Sequence, residues 1–127
     1  VIPISSALLG YVPAKRFGWG ENLPKGVALQ WAKWCSSPGY VENEFGQGVQ
    51  QHWFDNFSSP ITFVHASDDE IATLPNVEDI MRLFTKASKK RMEIQPDTFK
   101  LAAVGHIDIF REQCSSIWPE ILAELPG

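Results

Sequence analysis

Cysteine is scarce in this chain. Cys35 and Cys114 are the only two in 127 residues, and they lie far apart. No CxxC or Cys/His ligand spacing accompanies them, so a disulfide framework and a zinc site of that kind are excluded. Reduced thiols of a cytoplasmic protein are the expectation. Long apolar runs are missing too: none approaches the roughly 18 residues a membrane span needs. The charge is not concentrated in one sign. The formal net charge is -4, and the only dense cluster is Lys89-Lys90-Arg91. That cluster reads as the solvated start of a strand, and the acidic balance argues against nucleic acid. The chain begins Val1-Ile2-Pro3-Ile4, with neither an initiator Met nor a signal-peptide pattern. Such a start fits processing or truncation.

What is present divides near Pro60. The expected segments are 1–58 and 59–127. The first is rich in Gly, Pro and Trp, with weak periodicity. One helix is expected, from near Pro24 through Val27 to about Ser36, with Pro24 at the position where a first-turn proline is tolerated. Leu29, Trp31, Ala32 and Trp34 crowd this helix, which predicts burial on more than one side. Ser37-Pro38-Gly39 stops it. Residues 39–51 read as loop.

The second segment is regular. Ile61-Thr62-Phe63-Val64 carries the near-continuous apolar character of a buried parallel strand. Asn76 is the expected N-cap of a helix whose stripe is Val77, Ile80, Met81 and Phe84. Arg91-Met92-Glu93-Ile94 reads as a second strand. After His106 the chain turns helical by Ile109. Trp118, Ile121, Leu122 and Leu125 form a last stripe, with Pro119 in its first turn and Ser115-Ser116 as its cap. Strand–helix–strand–helix is the alternation of a parallel α/β sheet. Two strands leave edges unpaired, so further strands are expected from elsewhere.

Chemistry-bearing residues collect after the two strands. His65-Ala66-Ser67-Asp68-Asp69-Glu70 follows the first, and Val104-Gly105-His106 lies beyond the second. Each has a structural explanation: a turn before a helix for the acids, a capping or core residue for the histidine. Together they say more. In a parallel sheet both loops emerge at the same edge. There a carboxylate can hold an imidazole, fixing its tautomer and stabilising its protonated form. The order acid then histidine is that of Ser…Asp/Glu…His hydrolases.

The stretch Pro60-Ile61-Thr62-Phe63-Val64-His65-Ala66-Ser67-Asp68-Asp69-Glu70-Ile71-Ala72-Thr73 resembles the segment around the penultimate core strand of α/β-hydrolases. There a G-x-x-D pattern carries the triad acid; Ala66 stands here at the glycine position. The resemblance implies Asp69 as the acid, with Asp68 as the alternative. Ala103-Val104-Gly105-His106-Ile107-Asp108-Ile109-Phe110-Arg111 resembles the family's GH motif, which implies His106 as general base.

In the first half, Gly10-Tyr11-Val12-Pro13-Ala14-Lys15-Arg16-Phe17-Gly18-Trp19-Gly20-Glu21-Asn22-Leu23-Pro24, followed by Trp31-Ala32-Lys33-Trp34-Cys35, is similar to a bacterial subgroup of α/β-hydrolases. A comparable stretch there forms a small cap between the nucleophile region and the acid strand. The implied architecture is the C-terminal part of an α/β-hydrolase core, 59–127, preceded by a cap segment, 1–58. Trp19, Trp31 and Trp34 are candidates for an apolar substrate pocket, although packing of an irregular segment accounts for most aromatics there.

No G-x-S-x-G occurs in the chain. The family places its nucleophile in that motif, beside backbone oxyanion donors. Ser5-Ser6, Ser36-Ser37, Ser58-Ser59 and Ser115-Ser116 have the wrong contexts, and Cys35 lies in a helix with no strand before it. The nucleophile and most of the sheet are therefore expected before Val1, in the N-terminal half of the same fold. The expected activity is hydrolysis of a small-molecule ester or related acyl bond through an acyl-enzyme, without a cofactor. Acyl transfer by the same machinery is the nearest alternative. A non-catalytic binding module follows if the natural product is this short. A metal site built from His65, Asp68, Asp69 and His106 matches no ligand motif, and a homo-oligomer stays open.

Overall fold

The computed structural model describes residues 10–17 and 21–125. These residues form short helices and two two-stranded sheets, a loosely α/β arrangement. The chain divides into two compact units between His52 and Trp53. Among the described residues no helix is long and apolar enough to cross a membrane.

In the first unit, β1 (Tyr11–Val12) pairs antiparallel with β2 (Leu23–Pro24). The Lys25 N–H donates to the Gly10 carbonyl at 3.2 Å, extending this short ladder. Helix α1 (Lys25–Trp34) follows directly, with Pro24 in the N-cap position. This agrees with the helix read from the sequence. Its burial does not: only Ala28 is fully buried, and Val27, Leu29 and Trp31 remain exposed. Val27, Trp31 and Trp34 recur at i, i+4 and i+7 with Leu29 on the other side, and the first unit leaves both sides partly uncovered.

Residues 39–51, read as loop, contain a 3-10 helix at Tyr40–Glu44. Gly39, with φ 98°, begins it, and the Glu42 N–H donates to the Gly39 carbonyl at 2.8 Å. The Asn43 side chain adds a bond to the Pro38 carbonyl at 2.9 Å. Turns fixed by such local bonds leave no apolar period to detect.

In the second unit, β3 (Ile61–Ala66) and β4 (Lys89–Ile94) pair in parallel, in register from Ile61 opposite Lys89 to Ala66 opposite Ile94. Helix α2 (Leu74–Met81) lies between them in sequence. Alternation along the strands separates two faces. Val64, Ala66, Met92 and Ile94 meet Val104, Ile109, Cys114 and Ile117 in the core. Phe63, on the opposite face, meets Phe84 edge-on at 5.8 Å between ring centroids. Lys89, Lys90 and Arg91 are exposed at the start of β4.

Two cap readings are corrected here. Helix α2 starts at Leu74, and Thr73, not Asn76, holds its N-cap position. Pro75 lacks an N–H and belongs in the first turn, which puts Asn76 inside the helix, donating to the Ile71 carbonyl at 2.7 Å. Ser115 and Ser116 do not cap the last helix. They lie within a 3-10 segment, Glu112–Ile117, that runs straight into α3 (Trp118–Leu122). Of the last stripe, Ile121 packs on the core while Leu122 and Leu125 are exposed. Glu124 then ties the end of the chain to the sheet, accepting from Lys90 Nζ at 2.6 Å.

Candidate active site

The C-terminal ends of β3 and β4 bring two loops together. Asp69 follows β3 by three residues and is buried, with a side chain only 3% exposed. A buried carboxylate needs partners for both oxygens. Oδ1 accepts from the backbone N–H groups of Ile71 and Ala72, each at 2.8 Å. This is an Asx-type turn, in which the side chain replaces a backbone acceptor. Oδ2 is left facing the second loop, where His106 Nδ1 lies at 2.8 Å.

That contact sets the tautomer. An ionised carboxylate can only accept, so Nδ1 carries the proton and Nε2 carries the lone pair. The His106 side chain is 46% exposed, and among the described residues Nε2 has no hydrogen-bond partner. Burial pushes the Asp69 pKa up. The hydrogen bond from His106, the two backbone amides and the charge of the imidazolium outweigh burial and hold it below the ordinary carboxylate value. An ionised acid behind a half-open imidazole can orient it and stabilise its protonated form.

Asp68, the alternative acid, makes no hydrogen bond to the imidazole. Its carboxylate accepts from the backbone N–H of Val104 at 2.9 Å and of Gly105 at 3.0 Å. Neither of these bonds, nor the Asp69 turn, was read from the sequence. All four donors are backbone N–H groups, and the only available signal was an aspartate pair in a turn-prone loop.

The other candidates are placed as follows. His65 is buried on β3, where Arg91 Nη1 lies 3.1 Å from its Nε2. Arginine only donates, so Nε2 accepts, and the lone pair is used. Its Nδ1 is buried without a partner. Among the described residues no three His, Cys, Asp or Glu side chains could together hold a metal ion. Trp31 is exposed on α1, and Trp34 stacks edge-on with Tyr40 at 5.4 Å. Both belong to the first unit. Trp19 and Ser5-Ser6 lie outside the described residues. Cys35 is exposed at the C-cap of α1, and Cys114 is buried in the core; both are free thiols. No protein-family model, curated protein or solved structure matches the chain.

Proposed function

We propose that Asp69 and His106 are the acid–histidine half of a nucleophile–histidine–acid site, in the C-terminal part of an α/β-hydrolase fold. The enzyme is a serine hydrolase acting on an ester or a related acyl bond. Its nucleophilic serine lies outside this chain, in the N-terminal half of the fold. The observation that carries this reading is the 2.8 Å Asp69 Oδ2–His106 Nδ1 contact between the loops that follow two adjacent parallel strands. The family resemblance of both loops, in the matching chain order, supports it.

The chemistry follows from the tautomer. His106 Nε2 takes the serine hydroxyl proton as the oxygen attacks the acyl carbon. Asp69 stabilises the imidazolium. The same proton passes to the departing alcohol oxygen, leaving an acyl-serine and a neutral imidazole. Water then attacks the acyl carbon, giving a proton to Nε2, and that proton returns to the serine as the acid product leaves. A competing alcohol in place of water gives acyl transfer, and the product mixture distinguishes the two.

The test is covalent trapping. The complete protein is treated with an alkyl fluorophosphonate and the adduct located by mass spectrometry. Modification of one serine in a G-x-S-x-G context, slowed at least about 100-fold by His106→Ala, is the expected result. Absence of any serine adduct would overturn the reading.

A further inference from the structure

Asp68 is left over once Asp69 is assigned to His106. Its carboxylate is nevertheless fully used. Oδ2 accepts from Val104 N–H and Oδ1 from Gly105 N–H, the two amides immediately before His106. Two charge-assisted bonds from one planar carboxylate fix a peptide segment in direction as well as in place. The opposite side of the same segment is held by packing: the Val104 side chain is buried in the core with Ile94 and Cys114. Gly105, at φ 62°, then turns the chain outward.

The His106 ring itself has little holding it. Nearly half of its side chain is exposed, so its position depends on where its backbone starts and on the bond to Asp69. Two adjacent carboxylates would ordinarily repel and compete for one imidazole. Here each has its own pair of amides: Ile71 and Ala72 for Asp69, Val104 and Gly105 for Asp68. The division leaves a single oxygen, Asp69 Oδ2, facing the ring.

We propose that Asp68 is a positioning residue for His106: by clamping the Val104–Gly105 backbone to the end of β3, it sets the imidazole against Asp69. Its relevance to catalysis rests on the reading of His106 as the base. Asn at position 68 keeps one acceptor but turns an amide N–H towards a backbone N–H, so at least one bond is lost.

The experiment is NMR on the 127-residue chain. In Asp68→Asn, amide exchange at Val104 and Gly105 accelerates about tenfold or more, and the hydrogen-bonded His106 Nδ1–H resonance weakens or disappears while the core amide of Ile94 stays protected. Unchanged exchange and an unchanged Nδ1–H resonance would overturn the proposal. In the unsubstituted chain, scalar coupling from the Val104 and Gly105 nitrogens to the Asp68 carboxyl carbon is expected. Its absence overturns the proposal even if the variant does not fold. In the complete protein, Asp68→Asn lowers kcat about tenfold or more with KM little changed. If the loop is released by Asp68→Asn but His106→Ala leaves ester hydrolysis intact, the functional reading fails while the positioning of His106 stands.

Discussion

At the scale of single residues, Asp69 is a buried carboxylate that stays ionised. Burial alone would raise its pKa, and three donors outweigh that: Ile71, Ala72 and His106. Because its folded-state pKa is lowered, the fold favours the ionised form. That contribution is fully present above the unfolded value, near 3.8, and is lost as pH falls through the lower folded value. Asp69→Asn is expected to cost about 1–3 kcal/mol at neutral pH, with the gap to the unsubstituted chain narrowing below about pH 3.8. Urea unfolding of both proteins across pH 2–7 (roughly the span in which carboxylates titrate) measures this. A gap that does not depend on pH would contradict it. The proximity of Asp69 and His106 was legible in the sequence because the loops after two strands of a parallel sheet share an edge. The role of Asp68 was not, because backbone amides have no signature in the sequence.

Elements were legible where burial imposes a period. Strand β3 was readable because its residues meet the core on one face and Phe84 on the other. Helix α2 was readable through Val77, Ile80 and Met81, although proline chemistry moved its start to Leu74. The 3-10 segments at Tyr40–Glu44 and Glu112–Ile117 were missed or taken for something else. They are held by short local bonds, and their length is too small for a repeat to emerge. The sheet's packing is concentrated in few side chains. Ile94, 1% exposed, sits at the end of β4 against Ala66 and Ile117. Ile94→Ala is expected to destabilise the second unit by about 2–5 kcal/mol, read as a lower urea midpoint. A loss below about 0.5 kcal/mol would mean that this core is not formed as described.

At the scale of the whole molecule, the second unit is built on a two-stranded parallel sheet that depends on the helical segments packed against it for its stability. Ile61 and Ser67 donate to the carbonyls of Ser88, just before β4, and Ile94, at its end. By alternation, Thr62 and Val64 point their amides away from β4. Phe110, Leu122 and Leu125 are exposed, consistent with a surface that the proposed remainder of the fold covers. In the 127-residue chain, the amides of Thr62 and Val64 should exchange faster than those of Phe63 and His65. In the complete protein they should become protected as β3 gains a second neighbour. Equal, rapid exchange in both proteins would contradict the placement of β3 inside a larger sheet. This level was the least legible, because two paired strands do not encode which other strands, if any, a sheet contains.

The most direct test of the Asp69–His106 pair as catalytic machinery is hydrolysis of a short-chain aryl ester by the complete protein and its His106→Ala variant. The expected result is a fall in kcat/KM of at least about 100-fold in the variant, with an activity limb in the imidazole range in the parent. Equal rates in the two proteins would contradict the account.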